Sequence, residues 1–221
     1  MGFEGHLPST SPIEFPFGWS TVHADATFPD ASRRNVLLIT VRPSLLRLIV
    51  ISVLPYLPEI IRSVIGATFP GILLPTNVIV KKQKPGWEDE FEEEKARYRM
   101  LESLQGDIIP QLFGEIRVQG TRALLLSYVA GIRCDKVSDL EVEHFQQLLE
   151  DAHLRLRPFG YVHDDPRLDN YILVDGQKIV IVDLEHLYEI EETEIEYTMG
   201  TIIRAIVKIY RRSYKNHLED I

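Results

Sequence analysis

His163-Asp164-Asp165-Pro166-Arg167-Leu168-Asp169-Asn170, then two short β-branched runs, then Val182-Asp183-Leu184-Glu185 is the stretch on which the reading of this chain turns. Its first eight residues are polar and turn-forming, so they predict a loop. The runs 171–174 and 178–182 flank Asp175-Gly176, a dipeptide that tolerates left-handed backbone and therefore favours a tight hairpin. Asn170 follows Asp165 by five positions, and Asp183 lies thirteen beyond that, across the hairpin. Taken singly, each of the three could be a turn former. As a spaced set they offer two carboxylates and an amide carbonyl, hard oxygen donors of the kind magnesium prefers.

Working outward, Asn77-Val-Ile-Val-Lys81 is short, β-branched and followed by Pro85-Gly86, which predicts a buried strand ending in a turn. Alternation along that strand points Lys81 and Gln83 to one face and Lys82 and Lys84 to the other. The following stretch, 88–103, spaces Phe91, Tyr98 and Leu101 on one face of an amphipathic helix. Two strands, 113–117 and 123–129, are expected about a turn at Gln119-Gly120, and a helix over 140–156 with a stripe at Val142, Phe145, Leu148, Leu149, Ala152 and Leu156. An acidic run near Glu191 precedes a basic helical pattern. The first 35 residues read as a loose leader, and 44–65 fits either a buried helix or short strands.

Composition bounds the alternatives. With 221 residues, 45% hydrophobic and 26% charged, the chain suits one globular catalytic unit. A net charge of −9 gives no broad cationic face, so nucleic acid is not an expected partner. The lone Cys134 reads as a small buried filler and suggests a reducing compartment, cytoplasmic or nuclear. Arg42, Pro43, Arg47, Pro55 and Pro58 interrupt the apolar stretch 36–61, and membrane contact is not expected.

These residues resemble the protein-kinase-like superfamily, over about residues 78–187. The family's catalytic loop, H-R-D-L-x-x-x-N, and its later D-F-G are matched at Asp165, Asn170 and Asp183, and its V-A-I-K strand by Val78-Ile79-Val80-Lys81. The resemblance implies an α+β, two-lobed fold, with a small β-rich lobe over about 60–130 and a reduced helical lobe over about 131–221. It implies ATP and Mg2+ as cofactors, with Asn170 and Asp183 as metal ligands and Asp165, Lys81 and Glu94 as catalytic residues, Glu93 being the fallback for the helix glutamate. Leu126, Ser127 and Val129 would receive the adenine, and Gly66 and Gly71 would cover the phosphates. The style of Pro85-Gly86-Trp87 and of Leu104-Gln105-Gly106 is similar to kinase-like proteins of filamentous fungi.

The departures are as informative. Thr68 and Pro70 interrupt the glycine pair, Glu185 replaces the glycine of D-F-G, and Asp164 replaces arginine. Nothing after residue 187 resembles an activation segment ending in A-P-E. The expected function is transfer of the γ-phosphoryl group of ATP to a hydroxyl of a protein or a small molecule. Two alternatives stand beside it: an inactive pseudokinase serving as a nucleotide-binding or protein-interaction module, and a fragment of a longer kinase. His163 is read as a packed residue bonding the loop backbone, and His186 as incidental.

Overall fold

The long N-terminal stretch holds alternating small and branched apolar residues, and these build a curled antiparallel sheet, with helices following in the C-terminal part. The computed structural model describes residues 10–30 and 33–219, with side chains through 214. The fold is α+β. The chain divides into two units, one made of Met1–Glu88 and Leu112–Tyr128, the other of Asp89–Gln111 and Val129–Ile221.

The sheet unit contains β1 (Ser11–Phe17), β2 (Ser20–Thr27), β3 (Val36–Val41), β4 (Asn77–Lys82), β5 (Leu112–Val118) and β6 (Thr121–Ser127). Their order is β1-β2-β3-β4-β6-β5, antiparallel throughout. The sheet curls until its two edges approach: a Cβ on Gly114 of β5 would lie 3.2 Å from the ring of Phe17 in β1. Phe15, Val22, Ala24, Leu37, Ile39, Val78, Val80, Val118 and Leu125 fill the interior. Between β3 and β4 the chain forms α1 (Leu45–Val53), α2 (Glu59–Thr68) and the short α3 (Pro70–Leu73). Of the two readings open for 44–65, a buried helix or short strands, neither holds in full: the segment is helical, but its apolar residues are largely exposed.

Two expectations are corrected here. Residues 11–27, expected as part of a loose leader, are a regular hairpin closed by Gly18-Trp19, with Phe17 opposite Ser20. The alternation Val22, Ala24, Ala26 buries one face, and its small side chains disguise a strand as a turn-rich segment. Residues 1–9, 31 and 32 of the same leader lie outside the described residues. The units part between Tyr128 and Val129, close to the expected division at about 130; the sheet unit, however, begins with β1 rather than near 60, and the segment 89–111 groups with the helical unit.

The helical unit contains α4 (Glu88–Met100, of which all but Glu88 fall in this unit), β7 (Ile132–Arg133), α5 (Val142–Leu156), β8 (Tyr161–His163), β9 (Tyr171–Val174), β10 (Lys178–Ile181), β11 (Leu187–Glu189) and α6 (Glu192–Glu219). β10, β9 and β7 form one small sheet, and β11 pairs with β8 in another. The hairpin β9–β10 follows its turn chemistry, with φ of 51° at Asp175 and 68° at Gly176. α5 buries the stripe expected of it, and Phe145 stacks on Tyr210 of α6 at 3.9 Å between ring centroids. Tyr210 in turn donates to Leu140 O at 2.7 Å. Cys134 is buried, and desolvation pushes its thiol up to about 12, as befits a filler.

Phe145→Ala should remove a fully buried ring and its stacking partner together, costing about 3–5 kcal/mol of stability. Urea unfolding followed by circular dichroism would measure it, and a loss below about 1 kcal/mol would mean that the α5–α6 contact is not a core contact.

Candidate functional site

The loop after β8 is built around Asp165. Its carboxylate accepts from Arg167 N at 3.2 Å and from Asn170 Nδ2 at 2.7 Å, one partner on each oxygen. These bonds turn the loop back on itself and orient the carboxylate. With its amide nitrogen committed to Asp165, Asn170 directs its carbonyl oxygen the other way, and the residue is fully buried. Val182 N donates to Asn170 O at 2.8 Å, which brings the residue before Asp183 against the loop. The structure therefore joins Asp165 and Asn170 directly and brings the backbone beside Asp183 against their loop, within the helical unit.

Asp183 adopts φ 67° and ψ 65°, a left-handed conformation unusual for a residue with a side chain. Its carbonyl faces His163 Nε2 at 3.2 Å. His163 is completely buried, and desolvation lowers its pKa, so the ring is neutral. Facing a carbonyl, Nε2 must carry the proton, and Nδ1 is then an acceptor for Tyr171 Oη at 3.3 Å. Tyr171 Oη accepts in turn from His153 Nε2 at 3.4 Å. That leaves His153 Nδ1 as a bare lone pair with no partner among the described residues. Burial holds His153 far down, at about 3. The chain His153–Tyr171–His163 thus ends on the Asp183 backbone, and His163 has the structural role read from its sequence.

Two further residues were not legible beforehand. Arg97 of α4 donates to Leu184 O at 3.0 Å and Glu185 O at 2.9 Å, while Glu93 holds the same guanidinium at 2.8 Å. This fork fixes the two peptides that follow Asp183. His186, read as incidental, places Nε2 3.8 Å from Asp165 Oδ2 and Nδ1 3.9 Å from Asp164. Arg167 pairs with Asp169 through two hydrogen bonds, which raise the pKa of its guanidinium.

The remaining candidates are placed one by one. Lys81 is buried on β4, on the face opposite Val78 and Val80, whereas Lys82 reaches Gln119 at the surface. Glu94 is buried on α4 in the stripe Phe91, Glu94, Lys95 and Tyr98, whereas Glu93 is exposed and bound to Arg97. Leu126 and Ser127 close β6, opposite Ile79 and Val78 of β4, and Val129 follows the strand. Gly66 and Gly71 do not form a phosphate loop. Gly66 lies inside α2 and Gly71 inside α3, where a Cβ on Gly71 would meet Ser20 Oγ at 2.6 Å and Val22 Cγ2 at 2.9 Å. That glycine serves close packing of α3 on β2.

No protein-family model matches the chain, and comparison with curated proteins gives no match.

Two outcomes test this geometry. His153 is neutral when folded, with a pKa depressed below the ordinary 6.5, so the unfolded chain binds the extra proton between about pH 6.5 and 3. Its contribution is present above that window and is lost as pH falls, at up to about 1.4 kcal/mol per pH unit. Thermal unfolding across this range should steepen below pH 6.5, and His153→Leu should flatten the dependence. Arg97→Ala should accelerate amide exchange over 184–188 by roughly tenfold or more, since each lost charge-assisted bond is worth about 1.5–3 kcal/mol. Arg97→Lys should not restore protection, because an ammonium lacks the second nitrogen through which Glu93 holds Nη1 against the two carbonyls.

Proposed function

We propose that the chain is an ATP- and magnesium-dependent phosphotransferase of the protein-kinase-like type, which passes the γ-phosphoryl group to a hydroxyl acceptor. The observation that carries this reading is the cluster of Asp165, Asn170 and Asp183, with Asn170 bonded to Asp165 at 2.7 Å and Asp183 held left-handed beside them.

The donor set fits the cation. Asp183 supplies a carboxylate and Asn170 an amide oxygen turned away from Asp165, both hard ligands. Among the described residues no three His, Cys, Asp or Glu side chains converge as a self-sufficient metal site. Magnesium sites shared with substrate phosphates need only one or two protein carboxylates. When bound, the cation would neutralise charge on the triphosphate oxygens.

The residues of the chain do the positioning. Asp165, oriented by Arg167 N and Asn170, accepts a hydrogen bond from the attacking hydroxyl and holds it in line. His163 and Arg97 hold the carbonyl of Asp183 and the two that follow it. Lys81 on β4 and Glu94 on α4 are each buried ionisable groups, the residue types that the resemblance assigns to phosphate contact and its support, and Leu126 is a buried apolar residue of β6. Gly66 and Gly71, both helical, do not supply the phosphate cover expected of them. A second reading, an inactive nucleotide-binding module, draws its support from Glu185 in the place of glycine and from the Arg97 fork that immobilises that residue.

Calorimetric titration of magnesium-ATP into the wild-type chain, Asp183→Ala and Asp165→Asn separates these. The wild type should bind only with magnesium, and Asp183→Ala should weaken binding by roughly tenfold or more, about 1.4 kcal/mol. Asp165→Asn should bind normally yet lose about a hundredfold or more of any phosphoryl transfer, including hydrolysis of ATP by water. No binding to a folded wild type would falsify the enzyme reading, and binding without turnover would favour the inactive module.

A further inference from the structure

α1 is built inside out. Its one charged residue, Arg47, is its one buried side chain, donating to Leu74 O, while Ser44 caps the helix by accepting from Arg47 N at 3.1 Å. Its aliphatic residues face outward: Leu45 is 80% exposed, Leu46 62% and Ile49 60%, with Leu48, Ile51 and Val53 also exposed. At 100° per residue these six positions span about 220° of the helix circumference. α2 continues the surface with no buried residue, Ile60 being 79% exposed and Ile61 and Val64 exposed beside it. Tyr56 stands at the turn between the helices, 86% exposed. Trp19, 84% exposed, donates its backbone N–H to Thr68 O at the end of α2 and so joins the same surface.

We infer that this face of the sheet unit docks on a lipid surface, with its aliphatic side chains among the acyl chains and Trp19 and Tyr56 at head-group level. An apolar arc wider than half a helix suits a surrounding solvent of acyl chains better than a groove, which contacts one face of a helix. Trp and Tyr at the margin are the residues favoured at membrane interfaces. The charge agrees. Residues 42–76 hold three arginines and a single acid, Glu59, in a chain of net charge −9. Two of those arginines are spoken for, Arg42 by Asp25 at 2.6 Å and Arg47 by Leu74. The attraction is therefore apolar rather than electrostatic, and the matching surface is zwitterionic.

α1 has 9 residues and α2 has 10, and no helix among the described residues is long and apolar enough to cross a membrane. The helices thus lie in the interface. Hydropathy along the sequence argues against membrane contact because Arg42, Pro43, Arg47, Pro55 and Pro58 interrupt it. Folding buries Arg47 and pairs the half-exposed Arg42 with Asp25, so neither charge interrupts the apolar face of α1.

Co-sedimentation of the full chain with phosphatidylcholine vesicles tests the inference. The wild type should sediment, should stay bound at high salt, and should lose roughly tenfold or more in partition when Leu46 and Ile49 are both changed to Glu. In a Trp87→Phe background, Trp19 emission should shift to the blue on adding vesicles, a readout independent of the Glu variants. A wild type that stays in the supernatant with unshifted Trp19 emission overturns the inference. So does partition indifferent to the Glu substitutions in a folded variant. A concentration-dependent dimer that the Glu pair dissociates, with no vesicle binding, would assign the face to a second copy of the chain instead.

Discussion

The bond between a neutral, buried His163 and the carbonyl of Asp183 is the constraint on which the candidate site depends. A left-handed aspartate is stable only when its surroundings hold it there. His163 holds its carbonyl and Arg97 the next two. Because His163 can donate to that carbonyl while neutral only if its other nitrogen accepts, Tyr171 and His153 become part of the same arrangement. A network that extends from the last turn of α5 to the loop after β10 is thus organised by one proton on one ring. Its cost is the bare lone pair of His153, cheaper to bury than an unpaired N–H donor would be.

The sheet unit solves a different problem. Its interior is filled by small and branched side chains, and the approach of β1 to β5 protects edges that would otherwise remain open. The face of β4 opposite that core buries a lysine rather than a hydrocarbon, which marks Lys81 apart from its surface neighbour Lys82. In α1 the usual rule is inverted, with the cation inside and leucines outside. In both places polarity departs from what packing alone would select, and such departures are where function is to be sought.

What was legible in the sequence is what local chemistry decides. Gln119-Gly120 and Asp175-Gly176 announced their hairpins because positive φ at those positions suits few other residues, and the stripe of α5 announced its buried face. The spacing of Asp165, Asn170 and Asp183 was likewise readable, because a loop and a single hairpin connect them. Residues 11–27 were not, since alanines at alternate positions carry little strand signal until a sheet gathers around them. Gly66 and Gly71 misled because a glycine pair in sequence looks the same whether it turns a loop or lets a short helix approach a strand. Arg97 was beyond reach: its acceptors lie 87 and 88 residues away, and nothing near it in sequence announces them.

β6 lies between β4 and β5, although it is last of the six strands in the chain, and the segment holding α4 is inserted before its hairpin partner. During synthesis from the N-terminus, therefore, β1 to β4 emerge as a sheet whose β4 edge stays open until residue 127 leaves the ribosome. The residues inserted before β5 are made while that edge is exposed, and the strand that caps it brings the sheet unit to completion in one step. Neither unit is a single stretch of chain, so neither can be translated to completion before the other has begun.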